Sequence, residues 1–325
     1  MKAGESPDTS RENTGLLLLD KEPGITSFQA LNQVKKDFST TKVGHTGTLD
    51  KFASGLLLVL VGRAVKLAPW FSGCDKRYEG IIEFGTETDT LDPEGVIIAE
   101  GPVPGGERLE AALAQFRGPI EQAPPAYSAV HVNGERAYKQ ARSGVAVEMK
   151  IRPVTIHALE LRSYEPPLAH ISVHCSKGTY IRSLARDIAL AAGSRGHLTA
   201  LRRTQVAGFL LSDVPPNRSL LSITPQVFSA LGIPSLEADD AAARALVQGK
   251  PIGPLVESEK LRPCGETPLF SEAPFGGGAS GRPSASGDAA GVFDTTGRII
   301  AVIEKKENRW SYGYVFSGGG GHANP

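Results

Sequence analysis

Gly44-His45-Thr46-Gly47-Thr48-Leu49-Asp50-Lys51-Phe52-Ala53-Ser54-Gly55 packs a histidine, two threonines, an aspartate and a lysine between glycines. Glycine lets a backbone approach a ligand closely. An aspartate in such a loop more often bonds its own backbone or caps a helix. The stretch reads as a loop, and its flanks fix what it connects. Before it, Leu16 to Leu19 form a short apolar run stopped by Asp20-Lys21-Glu22-Pro23-Gly24, the pattern of a buried strand and a turn. Ser27 then reads as the N-cap of a helix whose apolar positions Phe28, Leu31 and Val34 fall three apart. After the loop, Leu56 to Val61 is a second buried strand, and Val65 to Trp70 starts a further element.

Further along, Tyr78 to Phe84 alternates as a half-buried strand does, Leu109 to Phe116 reads as a helix, and Ala123-Pro124-Pro125 is a rigid loop. His170 to Cys175 alternates again. Ser176-Lys177-Gly178-Thr179 then leads into a helix with Ile181, Leu184, Ala185, Ile188, Ala189 and Ala192 on one stripe, stopped by Gly193. Strands interspersed with single helices and short gaps predict an α+β domain, its sheet mixed but largely antiparallel. The composition shifts near Ser258, and the Gly/Ser-rich stretch near 258–290 is not expected to supply a core. Gly291 to Ile303 and Tyr312 to Phe316 then read as strands of a small β-rich module. The expected organisation is a tail over 1–14, a domain over 15–235, a second over 236–318 carrying the insertion, and a tail over 319–325.

The 325 residues are 40% hydrophobic and 22% charged, which excludes wholesale disorder. Lys+Arg and Asp+Glu number 35 each, so a uniformly basic nucleic-acid coat is excluded while a local patch is not. Such a patch is suggested by 152–204, where eight Arg and Lys face three acidic residues and Arg202-Arg203-Thr204-Gln205 suits phosphate contact. Cys74, Cys175 and Cys264 have no paired spacing, the first fifteen residues are polar, and Leu56 to Val61 is too short to span a bilayer. A cytoplasmic protein without membrane contact is expected. No phosphate loop, nucleophile elbow or metal-binding helix motif occurs. His170 and His174 lie in a strand-like run about 13 Å apart and read as strand residues, so no metal is expected.

The loop resembles the G-H-x-G-T-L-D-P-x-A-[ST]-G motif of the TruB family of tRNA pseudouridine synthases. Five more segments are similar to that family, in order. Asp20 to Ser27 resembles its opening D-K-P-x-G-x-[ST]-S. Lys76-Arg77-Tyr78, followed by Phe84 to Asp92, resembles K-x-Y…G-x-x-T-D-T-x-D. Gln122 to Ala129 resembles Q-x-P-P-x-Y-S-A, Ser176 to Leu184 resembles S-x-G-T-Y-I-R-x-L, and Leu201 to Thr204 resembles L-R-R-T. Lys51 stands where the family has Pro, His131 where a Lys is common, and the C-terminal module matches the family's PUA-type RNA-binding domain only loosely.

The resemblance implies isomerisation of uridine 55 in the tRNA T-loop, by base flipping and carboxylate-assisted cleavage of the glycosidic bond, with reattachment at C5. It implies no cofactor and a T-arm of tRNA as partner; the near-neutral charge favours action without guide RNA, and a monomer is expected. Asp50 matches the catalytic carboxylate, which can attack C1′, add to C6 or remove the C2′ proton. Arg182 matches its partner, expected to depress the Asp50 pKa and orient it. Tyr78 matches the residue that stacks on the uracil and takes part in proton transfer from C5. His45 matches the residue filling the gap left by the flipped base. Lys21, Gly44, Thr48, Tyr180, Leu201, Arg202 and Arg203 complete the implied substrate contacts. Two rivals remain: a guide-dependent synthase sharing these motifs, and a tRNA-binding module with a vestigial loop.

Overall fold

Leu16, Leu17, Leu18 and Leu19 are all buried, so the first strand is covered on both faces. In the computed structural model Leu16 and Leu18 join one core cluster while Leu17 and Leu19 join another, and Leu56 to Val61 divides the same way. The structure describes residues 13–128, 131–132, 135–136, 149–257, 260–264, 288–307 and 309–316. The strands of its first part are β1 (Gly15–Lys21), β2 (Val43–His45), β3 (Ser54–Val61), β4 (Lys76–Phe84), β5 (Thr86–Thr88), β6 (Ile97–Glu100), β7 (Gly118–Gln122), β8 (His131–Val132), β9 (Glu135–Arg136), β10 (Arg152–Glu165), β11 (Leu168–Cys175), β12 (Gly196–Val206) and β13 (Phe209–Leu210). Helices α1 (Ser27–Asp37), α2 (Ala68–Ser72), α3 (Gly106–Ala114) and α4 (Ile181–Ala191) lie between them.

The main sheet runs β1-β3-β12-β4-β11-β10-β7. Its pairings are antiparallel except where β12 meets β3 side by side. Helix α4 lays its apolar stripe on one face, where Leu184, Ile188 and Ala189 pack with Ile82, Ile171 and Leu198. The helix spacing read from the sequence holds over its whole length. The cap of α1 does not: Thr26, not Ser27, is the N-cap, in a reciprocal box with Gln29. Ser27 is drawn elsewhere, because its hydroxyl both donates to and accepts from the backbone of Leu49.

A second sheet, β15-β14-β16-β17-β18, comprises β14 (Ser235–Ala238), β15 (Leu261–Pro263), β16 (Ala289–Asp294), β17 (Ile299–Lys306) and β18 (Arg309–Val315). Phe228, Phe293 and Val302 share a core cluster with Leu16 and Leu58, so the two sheets are packed together. The stretch near 258–290 is not coreless throughout: Leu261 and Ala290, near its ends, are buried in the second sheet. Residues 265–287 lie outside the described residues, as do 1–12 and 317–325 and the side chain of His131.

β15 and β16 flank β14, with Pro263 beside Leu236 and Gly291 beside Ser235. Their adjoining ends are therefore about two strand spacings, roughly 10 Å, apart. Replacing 266–287 by a short Gly-Ser linker is expected to leave the thermal transition and RNA isomerisation nearly unchanged, since closure entropy varies slowly with loop length. Loss of either would show that this segment is structural. Among the described residues no helix is long and apolar enough to cross a membrane.

Candidate active site

The loop between β2 and β3 is held from below by polar groups that contact its backbone. Besides the Ser27 clamp on Leu49, Lys21 is buried and its ammonium donates to the carbonyls of Glu22 and Ile25, with that of Lys51 at 3.5 Å. Thr46 N–H donates to Leu58 O, and Ala53 N–H closes a turn on Asp50 O. Arg203 fixes the other side: Nε donates to Leu56 O at 2.7 Å and Nη2 to Gly47 O at 3.0 Å. Where β3 meets β12, Gly55 has φ +102°, and a Cβ there would collide with the Arg203 backbone. Only glycine fits that position.

Asp50 faces a cavity of about 470 Å³ lined also by His45, Thr48, Lys76, Tyr78, Tyr180, Arg182 and Leu201. Arg182, in the first turn of α4, reaches both carboxylate oxygens: Nε lies 2.9 Å from Oδ2 and Nη2 donates to Oδ1 at 3.2 Å. The same buried guanidinium contacts Asp92 at 3.3 Å and donates to the carbonyls of Thr90 and Tyr127. The first turn of α4 is itself tied down. Gln122 exchanges hydrogen bonds with Tyr180 N–H and C=O, and Ser183 donates to Ala123 O. The Gln-Ala-Pro-Pro loop thus positions the arginine.

The electrostatics differ from the sequence expectation. Burial raises the Asp50 pKa; Arg182 opposes this, and Asp92 adds to it. The ion pair was expected to depress the pKa, but desolvation outweighs it. In the open cavity 37% of the side chain is accessible, and bound RNA that expels water would strengthen the upward shift. Burial pushes the Tyr78 phenol up to about 12, against the Arg203 charge beside it, so it is protonated at neutral pH. Burial and then Arg203 hold His45 below its usual value, keeping the imidazole neutral. Its Nδ1 is buried without a hydrogen-bond partner among the described residues. A larger cavity of about 950 Å³, lined by Arg63, Arg244 and Phe316, contains one carboxylate, Asp294, which Thr296 and Arg298 already occupy. The smaller one is the candidate site, where Asp50 meets Arg182 and faces Tyr78.

The model of the TruB family pseudouridylate synthase N-terminal domain matches residues 35–181. A tRNA pseudouridine synthase B of Chromobacterium violaceum is 41% identical over 264 residues, spanning 78% of this chain and 86% of that protein. One from Bordetella avium is 45% identical over 228 residues, 69% of this chain and 93% of that protein. The chain belongs to the TruB family. Among solved structures, a Cbf5-Nop10-Gar1 complex matches with TM-score 0.61 at 21% identity, covering 94% of this chain and 84% of that one. The fold is of pseudouridine synthase type, with a PUA-like second sheet.

Set against the TruB motifs, Asp50, Tyr78, Arg182, His45, Thr48, Tyr180, Leu201 and Arg203 all line one cavity. Lys21, Gly44 and Arg202 do not. Lys21 is buried under the loop, where it serves backbone carbonyls. Arg202 points to the side of the strand opposite Arg203 and pairs with Asp20 at 2.6 Å. The basic run is compensated in the same manner: Arg162, Arg182, Arg186, Arg195 and Arg202 are all paired to carboxylates of this chain. Arg152 and Lys177 of the same run are exposed. Lys51, in the proline position, sends its ammonium to Glu94 at 2.7 Å. The sequence reading assigned no role in the site to Asp92, Gln122 or Ser27, the last being read as a helix cap. All three lie inside the family motifs, Ser27 as the last residue of the Asp20 to Ser27 segment, which was the available signal.

Proposed function

We propose that this TruB-family isomerase converts uridine to pseudouridine in tRNA at position 55 of the T-loop, acting without a guide RNA. The observation that carries the reading is the Asp50–Arg182 pair facing one cavity with Tyr78 and His45. The uridine flips into that cavity, a cost of a few kcal/mol. Stacking on Tyr78 offsets part of it, at roughly 1–3 kcal/mol per base. His45, neutral and with a free ring nitrogen, occupies the gap in the loop. Asp50 then acts at the ribose or at C6, and Arg182 holds it in one orientation throughout. Uracil detaches, turns and rejoins through C5.

The C5 proton must then leave. A phenol with a pKa near 12 is a poor acceptor in its resting form, so Tyr78 is ready to stack and would take that proton only while passing on its own.

The test is tritium release from C5-labelled uridine in a bare T-arm transcript, without guide RNA. Release supports the stand-alone reading. Release only after a guide RNA is added would favour the guide-dependent one, and none under either condition would favour a vestigial loop. Because the chemistry needs ionised Asp50 and burial raises its pKa, the single-turnover rate should fall with acidification. The midpoint should lie above the ordinary carboxylate value. A rate flat down to that value would remove ionised Asp50 from the mechanism.

A further inference from the structure

The middle of β10 breaks register with β11 between Ile156 and Ala158, leaving His157 as the extra residue of a bulge. Bulges re-aim side chains. Here the result is that the His157 ring lies 4.7 Å from that of His174, centroid to centroid, with 46° between the planes. From the turn before β4, Asp75 sends Oδ2 to within 3.1 Å of His157 Nε2. One ligand atom from each of Asp75, His157 and His174 lies within 4.8 Å of the others. The geometry points to a divalent transition-metal site of the zinc class, held by Asp75, His157 and His174 and separate from the Asp50 cavity.

Two imidazole nitrogens and a carboxylate oxygen are a donor set that suits zinc and its neighbours and leaves positions for water. Tetrahedral bonds of about 2.0–2.1 Å put ligand atoms about 3.3 Å apart. The Asp75–His157 pair is already near that separation. His174 closes the remainder by turning about its terminal torsion, which is broad for histidine. Asp75 and His174 also border a hollow of about 260 Å³ with Gln205 and Gly208, through which an ion can enter. Lys76 and Arg77 border the same hollow, so coordination and not a negative field must supply the affinity. Spacing along the sequence concealed the site. His170 and His174 share a strand and read as strand residues, whereas the true partner of His174 comes from the neighbouring strand. None of the three residues lines the Asp50 cavity, so an ion here would brace β4, β10 and β11 behind the site.

The experiment is titration of the chelator-treated full chain with Co2+, followed by Zn2+. One equivalent of Co2+ should give visible bands without sulfur-to-metal charge transfer, bleached by Zn2+, and Zn2+ should raise the thermal transition. His174→Ala, His157→Ala and Asp75→Asn should each weaken binding at least about tenfold and abolish the thermal shift, with T-arm isomerisation unchanged. Three results would overturn the site. They are no bound ion, binding retained in the double histidine variant, and a thiolate band placing the ion on cysteine.

Discussion

Tritium release falls below detection in Asp50→Asn, a loss on the order of 10⁴-fold or more, while T-arm affinity changes by no more than about 1 kcal/mol. Asparagine keeps the size and much of the hydrogen-bonding shape, so the loop held by Ser27, Lys21 and Arg203 stays in place. What is lost is the negative charge, and with it both nucleophilicity and basicity. Were Asp50 a turn residue only, asparagine would replace it well and activity would persist. The stability of the same variant is a second reading. The folded-state pKa of Asp50 is raised, so folding favours the protonated form. The group then stabilises the fold at acid pH, and that contribution is lost as pH rises through the folded pKa. At neutral pH the asparagine variant should melt at or above the wild-type temperature. A lower melting temperature with activity retained would remove Asp50 from the chemistry.

Arg182→Ala is expected to cut the single-turnover rate by roughly 10²–10³-fold, far more than RNA affinity. The guanidinium lies between Asp50 and Asp92 with almost no exposure, and its removal leaves two neighbouring carboxylates without their shared cation. Breaking a buried pair in this way costs about 3–5 kcal/mol of stability. The acid limb of the rate profile should also move to higher pH, because the one strong influence lowering the Asp50 pKa has gone. Arg182→Lys separates charge from geometry. It keeps a cation but cannot reach Asp50, Asp92 and two carbonyls at once, so it should fold better than the alanine variant and recover only part of the rate. An unaltered single-turnover rate in either variant would end the pairing argument.

Local order was legible wherever a periodicity is set by one covering surface. The stripe of α4 and the alternation of Tyr78 to Phe84 needed no knowledge of distant residues. Thr26 and Ser27 are both competent caps, and the choice between them was made by Leu49, twenty-two positions away. The residues of the cavity were found through motifs, yet motifs carry no direction. Arg202 and Arg203 look alike on paper, and strand alternation sends one to Asp20 and the other under the loop. The sign of the Asp50 shift was missed for a similar reason. An ion pair can be read from two residue types, but desolvation belongs to everything packed around them.

β12, last of the main-sheet path strands in the sequence, is the only one on that path touching both β3 and β4. β3 continues the loop bearing Asp50, and β4 bears Tyr78. Until residues 196–206 are inserted, these two halves share no neighbour and the Arg203 support is missing. A nascent chain can thus possess its aspartate, tyrosine and arginine and still have no site, because the seam between them is closed only when β12 is in place. Competence therefore waits on closure of the main sheet, and a chain that stops short of β12 has no means of acting on RNA.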